Sequence, residues 1–232
     1  LDAQSIDQIF VVGPPDELQE ELAGFPARVK VIAQRGKMLT NCWAGIEAAE
    51  DSHENDSIMP VKERPILVIS CDLPLVTARS VDDFVGRCAR IDNMGLDNDS
   101  GQSIAMFAGV VDEAGLKPFH PSKDRLGIKR PFVELAYGRL RIANIYVGRP
   151  RNLSHQEFLQ TGFSYRKAVD WRNVLALTFS FIKSHGGWQA AWLTMRIQLT
   201  LMLSRGKGSW YWRLRKGNTQ ARVEKSLSEV LG

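Results

Sequence analysis

The sequence predicts an α/β protein, a three-layer and mostly parallel sheet followed by a helical C-terminal region. Three observations carry this. Short apolar runs alternate with helix-period segments through the first 150 residues, the order that builds parallel sheets through right-handed crossovers. The run "PILVIS" at 65–70 is continuous instead of alternating, which suits a strand covered on both faces. From residue 170 onward the pattern is helical in about three pieces, broken at "SHGG" and "SRGKGS". The expected division is an α/β core over 1–150 and a helical region over 151–232.

The elements follow in order. "IFVVG" at 9–13 is an apolar run ended by Gly-Pro-Pro, a strand and then a loop. Residues 16–22 form a short helix, and "VKVIA" at 29–33 is a second strand. Leu39, Cys42, Trp43 and Ile46 recur at helical spacing, so a helix begins just after Gly36. Residues 51–63 are polar and aperiodic, a surface loop. After the strand at 65–70, Thr77 is the N-cap of a helix with Val81, Phe84, Val85 and Cys88 on its apolar face. Asp82 and Asp83 sit in its first turns, where the helix dipole favours negative charge. "SIAMFAGVV" and "RLRIANIYVG" are further strands with "RPFVELAYG" between them. Ser154 and Glu157 make a capping box for a short helix ending near Gly162.

Composition excludes several classes. The chain has 232 residues, 44% hydrophobic and 24% charged, with a formal charge of +4, ordinary values for a globular protein with a core of its own. Three cysteines without C-x-x-C spacing and four scattered histidines argue against a zinc site or a disulfide framework. They fit a reducing compartment, so a cytoplasmic location is expected. Of the two longest apolar stretches, 174–182 is too short for a bilayer, which takes about 20 residues. The other, 188–203, is interrupted by Arg196. No membrane span is expected, and the mild net charge does not favour a nucleic-acid partner.

Asp72 in "CDLPLVT" raises the functional question. The apolar strand delivers it to the carboxyl end of the sheet, where ligands bind in open α/β folds. A carboxylate there can hold Mg²⁺, a hard cation commonly bound by one or two carboxylates plus substrate phosphates. Pro74 fixes φ and helps the chain leave the sheet. The other reading is that Asp72 only organises the turn, since Asp and Pro are common turn residues.

The stretches "VVG", "GKMLTNCWAGIEAA" and "PILVISCDLPLVTARSVDDFV" together resemble the MobA-like family of nucleoside-triphosphate transferases, which have a Rossmann-like fold of the GT-A type. "KRPFVELAYGRLRIANIYVGRP" and "YRKAVDWRNVLAL" are similar to a subgroup pattern, so the resemblance covers roughly residues 5–183. It implies Mg²⁺-dependent transfer of a nucleoside monophosphate from an NTP to a small phosphorylated or hydroxyl acceptor. Asp72 matches the metal-binding and catalytic carboxylate, and Gly36 and Asn41 match positions against the nucleotide. Lys37 stands where the family more often has a small hydroxyl residue, and exposure is its expected state. Arg130, Asn144, Arg166 and Lys167 match the acceptor side. Ala143 replaces the usual glycine before Asn144.

The family's N-terminal glycine-rich loop, A-G-G-x-[GS]-x-R-[MF]-G, does not occur in these 232 residues, and neither does the late D-[VI]-D-x-P-x-D motif. The chain therefore reads as an enzyme fragment and is expected to turn over poorly. Two further classes stay open. One is an inactive GT-A-like binding protein. The other is a nucleic-acid or membrane-surface module built on the basic, aromatic tail "SRGKGSWYWRLRKGNTQARVEK", whose alternative is a loop with aromatics packed on the helices.

Overall fold

The computed structural model describes residues 2–25, 27–52, 59–60, 63–73, 76–96, 104–124, 126, 132–154, 187–204 and 206–231. Two compact units emerge. One comprises Leu1–Gly109 with Asn144–Asn152, the other Val110–Ala143 with Leu153–Gly232. The chain passes from one to the other within its strands as well as between elements.

The first unit opens with β1 (Ile9–Gly13), α1 (Pro15–Leu22), β2 (Val29–Ala33) and α2 (Met38–Asp51). β1 and β2 pair in parallel, Ile9 against Val29 through Gly13 against Ala33. Antiparallel strands can be joined by a tight turn, but parallel ones need a crossover, which α1 supplies. α2 lies on both strands, with Ala44 and Ile46 buried. Helix and strand approach closely here: a Cβ on Gly45 would meet Val12 Cγ2 at 3.1 Å.

β3 (Ile66–Ile69), α3 (Ala78–Leu96), the first part of β4 (Met106–Asp112) and the last part of β6 (Arg139–Gly148) complete this unit. Val81 and Cys88 of α3 are buried, as are Ile145 and Val147 of β6. Thr77 caps α3 as the sequence predicts: its hydroxyl accepts from the Ser80 N–H at 3.2 Å, and Ser80 Oγ accepts from the Thr77 N–H at 2.9 Å. This is a reciprocal box with serine in the usual Glu position. Two ion pairs anchor the chain just after β6. Arg149 bonds Asp92 at 2.5 Å and the carbonyls of Glu63 and Ile104. Arg151 grips the Glu50 carboxylate with two nitrogens and lies over the Trp43 ring.

The parallel pairing expected for the sheet holds for β1 and β2. The second sheet runs β3-β6-β4, with β5 (Val133–Glu134) also on β6. β3 and β6 pair antiparallel, Ile66 against Gly148 through Ile69 against Ile145, and so do β5 and β6. The second case is set locally: Leu135 and Gly138 exchange backbone hydrogen bonds at 2.9 and 3.3 Å, a tight turn that returns the chain on itself. The fold is thus mixed α/β, with a parallel pair, a largely antiparallel sheet and C-terminal helices. β3 is only half-buried along its length, although its unbroken apolar run suggests full coverage.

In the second unit, α4 (Glu113–Leu116) and a 3₁₀ turn (Lys117–Phe119) precede the β5–β6 hairpin, followed later by α5 (Gly187–Leu203), α6 (Ser209–Lys216) and α7 (Gln220–Leu231). α5 packs against α6, α7 and β5. The centre is polar. Glu134, 2% exposed, accepts from Arg139 Nε at 3.0 Å and from the Tyr211 hydroxyl at 3.1 Å, with Arg215 Nε at 3.8 Å. Asn218 Nδ2 donates to the Glu134 carbonyl and to Thr200 Oγ1, both at 3.1 Å. Burial, then the Glu134 carboxylate, pushes the Tyr211 pKa up. Glu157, the second half of the expected box with Ser154, and the first helical piece expected after residue 170 lie outside the described residues. No described helix is long and apolar enough to cross a membrane.

Candidate functional site

The end of β3 is built by three residues. Ile69 is the last strand residue, opposite Ile145. The Ser70 N–H then donates to the Asn144 carbonyl at 3.1 Å. The Ser70 hydroxyl turns forward and donates to Asp72 Oδ1 at 2.5 Å. Asp72 and Cys71 are both exposed. The carboxylate is therefore presented at the strand's carboxyl end with one oxygen oriented by a neighbouring hydroxyl. Pro74 lies outside the described residues.

Asn144 has φ 55°. Only glycine, asparagine and aspartate visit this left-handed region readily. The residue stands where β6 passes from its pairing with β5 to its pairing with β3. A left-handed residue inside a strand is the mark of a bulge, which re-aims the chain. Beyond it Ile145 and Val147 are buried, while Ile142 before it is 51% exposed, the alternation of a strand with one covered face.

Gly36 and Asn41 form a second group, after β2. Gly36 has φ +107°, a conformation that only glycine holds without strain, and the space where a Cβ would project is open. The Asn41 side-chain oxygen accepts from the Arg35 N–H at 2.7 Å, so it shapes the loop on which Gly36 sits. α2 begins just beyond, and Lys37 at its N-cap makes no side-chain capping bond. Uncapped first-turn N–H groups and the helix dipole favour an anion. Lys37 is exposed, as the sequence predicts.

Asp72 and Asn144 are thus brought together through Ser70 on the β3–β6 ladder, while Gly36 and Asn41 lie beyond the β1–β2 pair. Arg130, Arg166 and Lys167 lie outside the described residues. Ser70 was not singled out from the sequence, although a hydroxyl two positions before a carboxylate is a readable spacing. Asp82 departs from its expected role. It receives the Ser5 N–H at 2.8 Å, the Ser5 hydroxyl at 2.6 Å and the Gln4 N–H at 3.1 Å, and these bonds, the Ser5 hydroxyl first, lower its pKa. Asp83 pairs with Arg87 at 3.0 Å. A shallow concavity of about 380 Å³ opens at the start of α3, lined by Thr77, Arg79, Ser80, Asp83 and Arg87.

Two of the three cysteines are poor nucleophiles. Burial pushes the Cys42 and Cys88 thiols up, away from the thiolate form that reacts. A divalent cation fits in one specific sense. Among the described residues no three Asp, Glu, His or Cys side chains converge on a metal position, so these residues do not form a cage. An exposed, oriented carboxylate still supplies the single hard oxygen ligand that Mg²⁺ takes when phosphates and water complete its shell.

No family model matches the chain, and no curated protein matches it. A structure described as a hypothetical transferase from Thermus thermophilus is similar over 99% of this chain and 71% of the other, with a TM-score of 0.57 and 20% sequence identity. At that identity the likeness is one of fold.

Proposed function

We propose that the protein is a nucleotidyltransferase that moves a nucleoside monophosphate from an NTP to a small phosphorylated or hydroxyl acceptor. The observation that carries the reading is Asp72, exposed at the end of an apolar strand, with its carboxylate set by Ser70 next to the left-handed Asn144. The name of the similar Thermus thermophilus structure supports the broader class, a transferase.

Each residue has a role in this reading. Gly36 and the uncapped start of α2 receive the nucleotide's phosphates, and Asn41 holds the loop in shape. The resemblance assigns Asn144, Arg130, Arg166 and Lys167 to the acceptor, and guanidinium and ammonium groups suit phosphate recognition. Asp72 would hold Mg²⁺, which neutralises charge on the phosphate oxygens when bound. An acceptor oxygen attacks the α-phosphorus. The new P–O bond forms as the bond to the bridging oxygen of the β-phosphate breaks, and pyrophosphate leaves. A phosphate acceptor has no proton to lose, and a hydroxyl acceptor gives its proton to water. Positioning and charge carry such chemistry without a covalent intermediate.

Binding is the primary readout, because the 232 residues contain no glycine-rich loop of the family type. Equilibrium dialysis against the four NTPs, with and without Mg²⁺, should show Mg²⁺-dependent binding. Asp72→Asn should weaken it by about tenfold or more, the loss of a charge-assisted ligand. Absence of NTP binding in the parent chain, or equal binding by Asp72→Asn, sinks the proposal.

A further inference from the structure

Residues 171–223 hold nine Lys or Arg and no Asp or Glu, in a chain whose whole formal charge is only +4. The rest of the molecule is therefore net acidic. Five of the six tryptophans lie in the same stretch. Nothing in the nucleotidyl reading uses this concentration of charge and indole.

Within this stretch, α5 is predominantly apolar, its polar residues being Gln189, Thr194, Arg196, Gln198 and Thr200. Ala190, Ala191, Leu193 and Thr200 face inward and are buried. The opposite side carries Trp188, Trp192, Leu199, Met202 and Leu203, which are 40–72% exposed. These positions recur at intervals of three, four and seven, so they share one face. The stripe runs the length of a 17-residue helix, about 25 Å. Scattered exposed apolar side chains are normal, whereas a continuous stripe marks an interaction surface.

α6 packs beside α5 and adds the charge. Tyr211 is buried, while Trp210, Trp212, Arg213 and Lys216 are exposed. The Arg213 guanidinium lies over the Trp210 ring at 5.7 Å. Arg196, the single cation on α5, turns inward and donates to the Leu214 carbonyl, so it leaves the stripe uninterrupted. Exposed indoles with cations at their edge, beside an apolar helix face and without carboxylates, match the chemistry of a lipid headgroup boundary. Nucleic acid would account for the cations and some of the aromatics but not for the aliphatic part of the stripe.

We infer that the exposed face of α5, with the basic face of α6, docks on the surface of an anionic phospholipid bilayer, lying in the interface without crossing it. The full chain should co-float with phosphatidylcholine vesicles containing phosphatidylglycerol, and raised salt should release it. Its tryptophan emission should shift to the blue and be quenched by brominated lipid, a test that needs no variant. Trp188→Ser with Trp192→Ser should cut the bound fraction by about tenfold or more with unchanged circular dichroism. Arg213→Gln with Lys216→Gln should erase the preference for anionic over neutral vesicles. The inference is overturned by absence of flotation, by tryptophans that brominated lipid does not quench, by flotation that survives the tryptophan changes, by binding to poly(U) RNA without vesicle binding, or by a dimer that covers the stripe. NTP binding plays no part in any of these readouts, so the two proposals fail separately.

Discussion

Asn144 and Asp82 show how much of this molecule is decided by single side chains. A non-glycine residue in the left-handed region costs roughly 1–2 kcal/mol unless it is Asn or Asp. Asn144→Ala should therefore lower stability by about 1 kcal/mol or more, while Asn144→Gly should be close to neutral. Urea unfolding of the two variants separates these outcomes. If both lose the same amount, the side chain matters for its contacts and not for its backbone. Asp82 gives a pH dependence with a fixed sign. Its pKa is lowered in the folded chain by the Ser5 and Gln4 bonds. Its contribution is thus fully present above the ordinary carboxylate value and is lost as pH falls through the depressed one. Protection of the Ser5 amide, its exchange relative to the intrinsic rate, should be high at neutral pH and fall in acid, and Asp82→Asn should remove that pH dependence. The sequence marked Asp72 because the end of an apolar strand is a local signal, whereas Gly36 and Asn144 were marked through their match to the family pattern. It could not mark Glu134, whose importance lies in partners distant in sequence, Tyr211 among them, whereas the Ser70 side chain bonds Asp72 only two positions on.

Among the elements, the same contrast holds between what is local and what is not. The strands at Ile9–Gly13, Val29–Ala33 and Arg139–Gly148 were legible because apolar runs bounded by Gly, Pro and polar residues are written in consecutive positions. The cap on α3 was legible for the same reason. Thr77→Ala should cost about 1 kcal/mol. Ser80→Ala should cost less, since Ser80 supplies the reciprocal half of the box. Thermal denaturation of the single and double variants reads the coupling, and additivity would mean that the two do not act as one cap. Strand direction was not legible. Apolar runs carry no arrow, so β3 read as one more parallel strand although it pairs antiparallel with β6. The short α4 was missed because four residues are too few for a helical period, even though Asp112 caps it by accepting from the Gly115 N–H at 2.7 Å.

Across the whole molecule, neither unit is one continuous piece of chain. Part of β4, all of β5 and part of β6 belong with helices that arrive some fifty residues or more later in sequence. Glu134 is the point where they meet. Its carboxylate takes Arg139 from its own hairpin and Tyr211 from α6, and its carbonyl takes Asn218 from the turn before α7. A carboxylate this deeply buried is tolerable only while its partners remain. Against burial, which lowers it, Glu113 and Glu134 raise the Arg139 pKa, so removing Glu134 still leaves Arg139 a carboxylate. Arg215 likewise keeps the Leu135 carbonyl at 2.8 Å, so the loss that is not compensated is that of the buried Tyr211 hydroxyl, left facing a cavity. Glu134→Ala should destabilise the chain by about 1–3 kcal/mol, the cost of an unsatisfied buried hydroxyl, still a sizeable share of the usual ~5–15 kcal/mol total. Hydrogen exchange should place the loss in residues 133–143 and 209–218. A chain ending after Asn152 should fare worse, because Glu134 then keeps Arg139 but loses every helical partner. It should bind a hydrophobic dye and exchange the hairpin amides at nearly unprotected rates. Native-like protection of the hairpin in that truncated chain would show that the α/β part carries its own stability and that the helices only cover it.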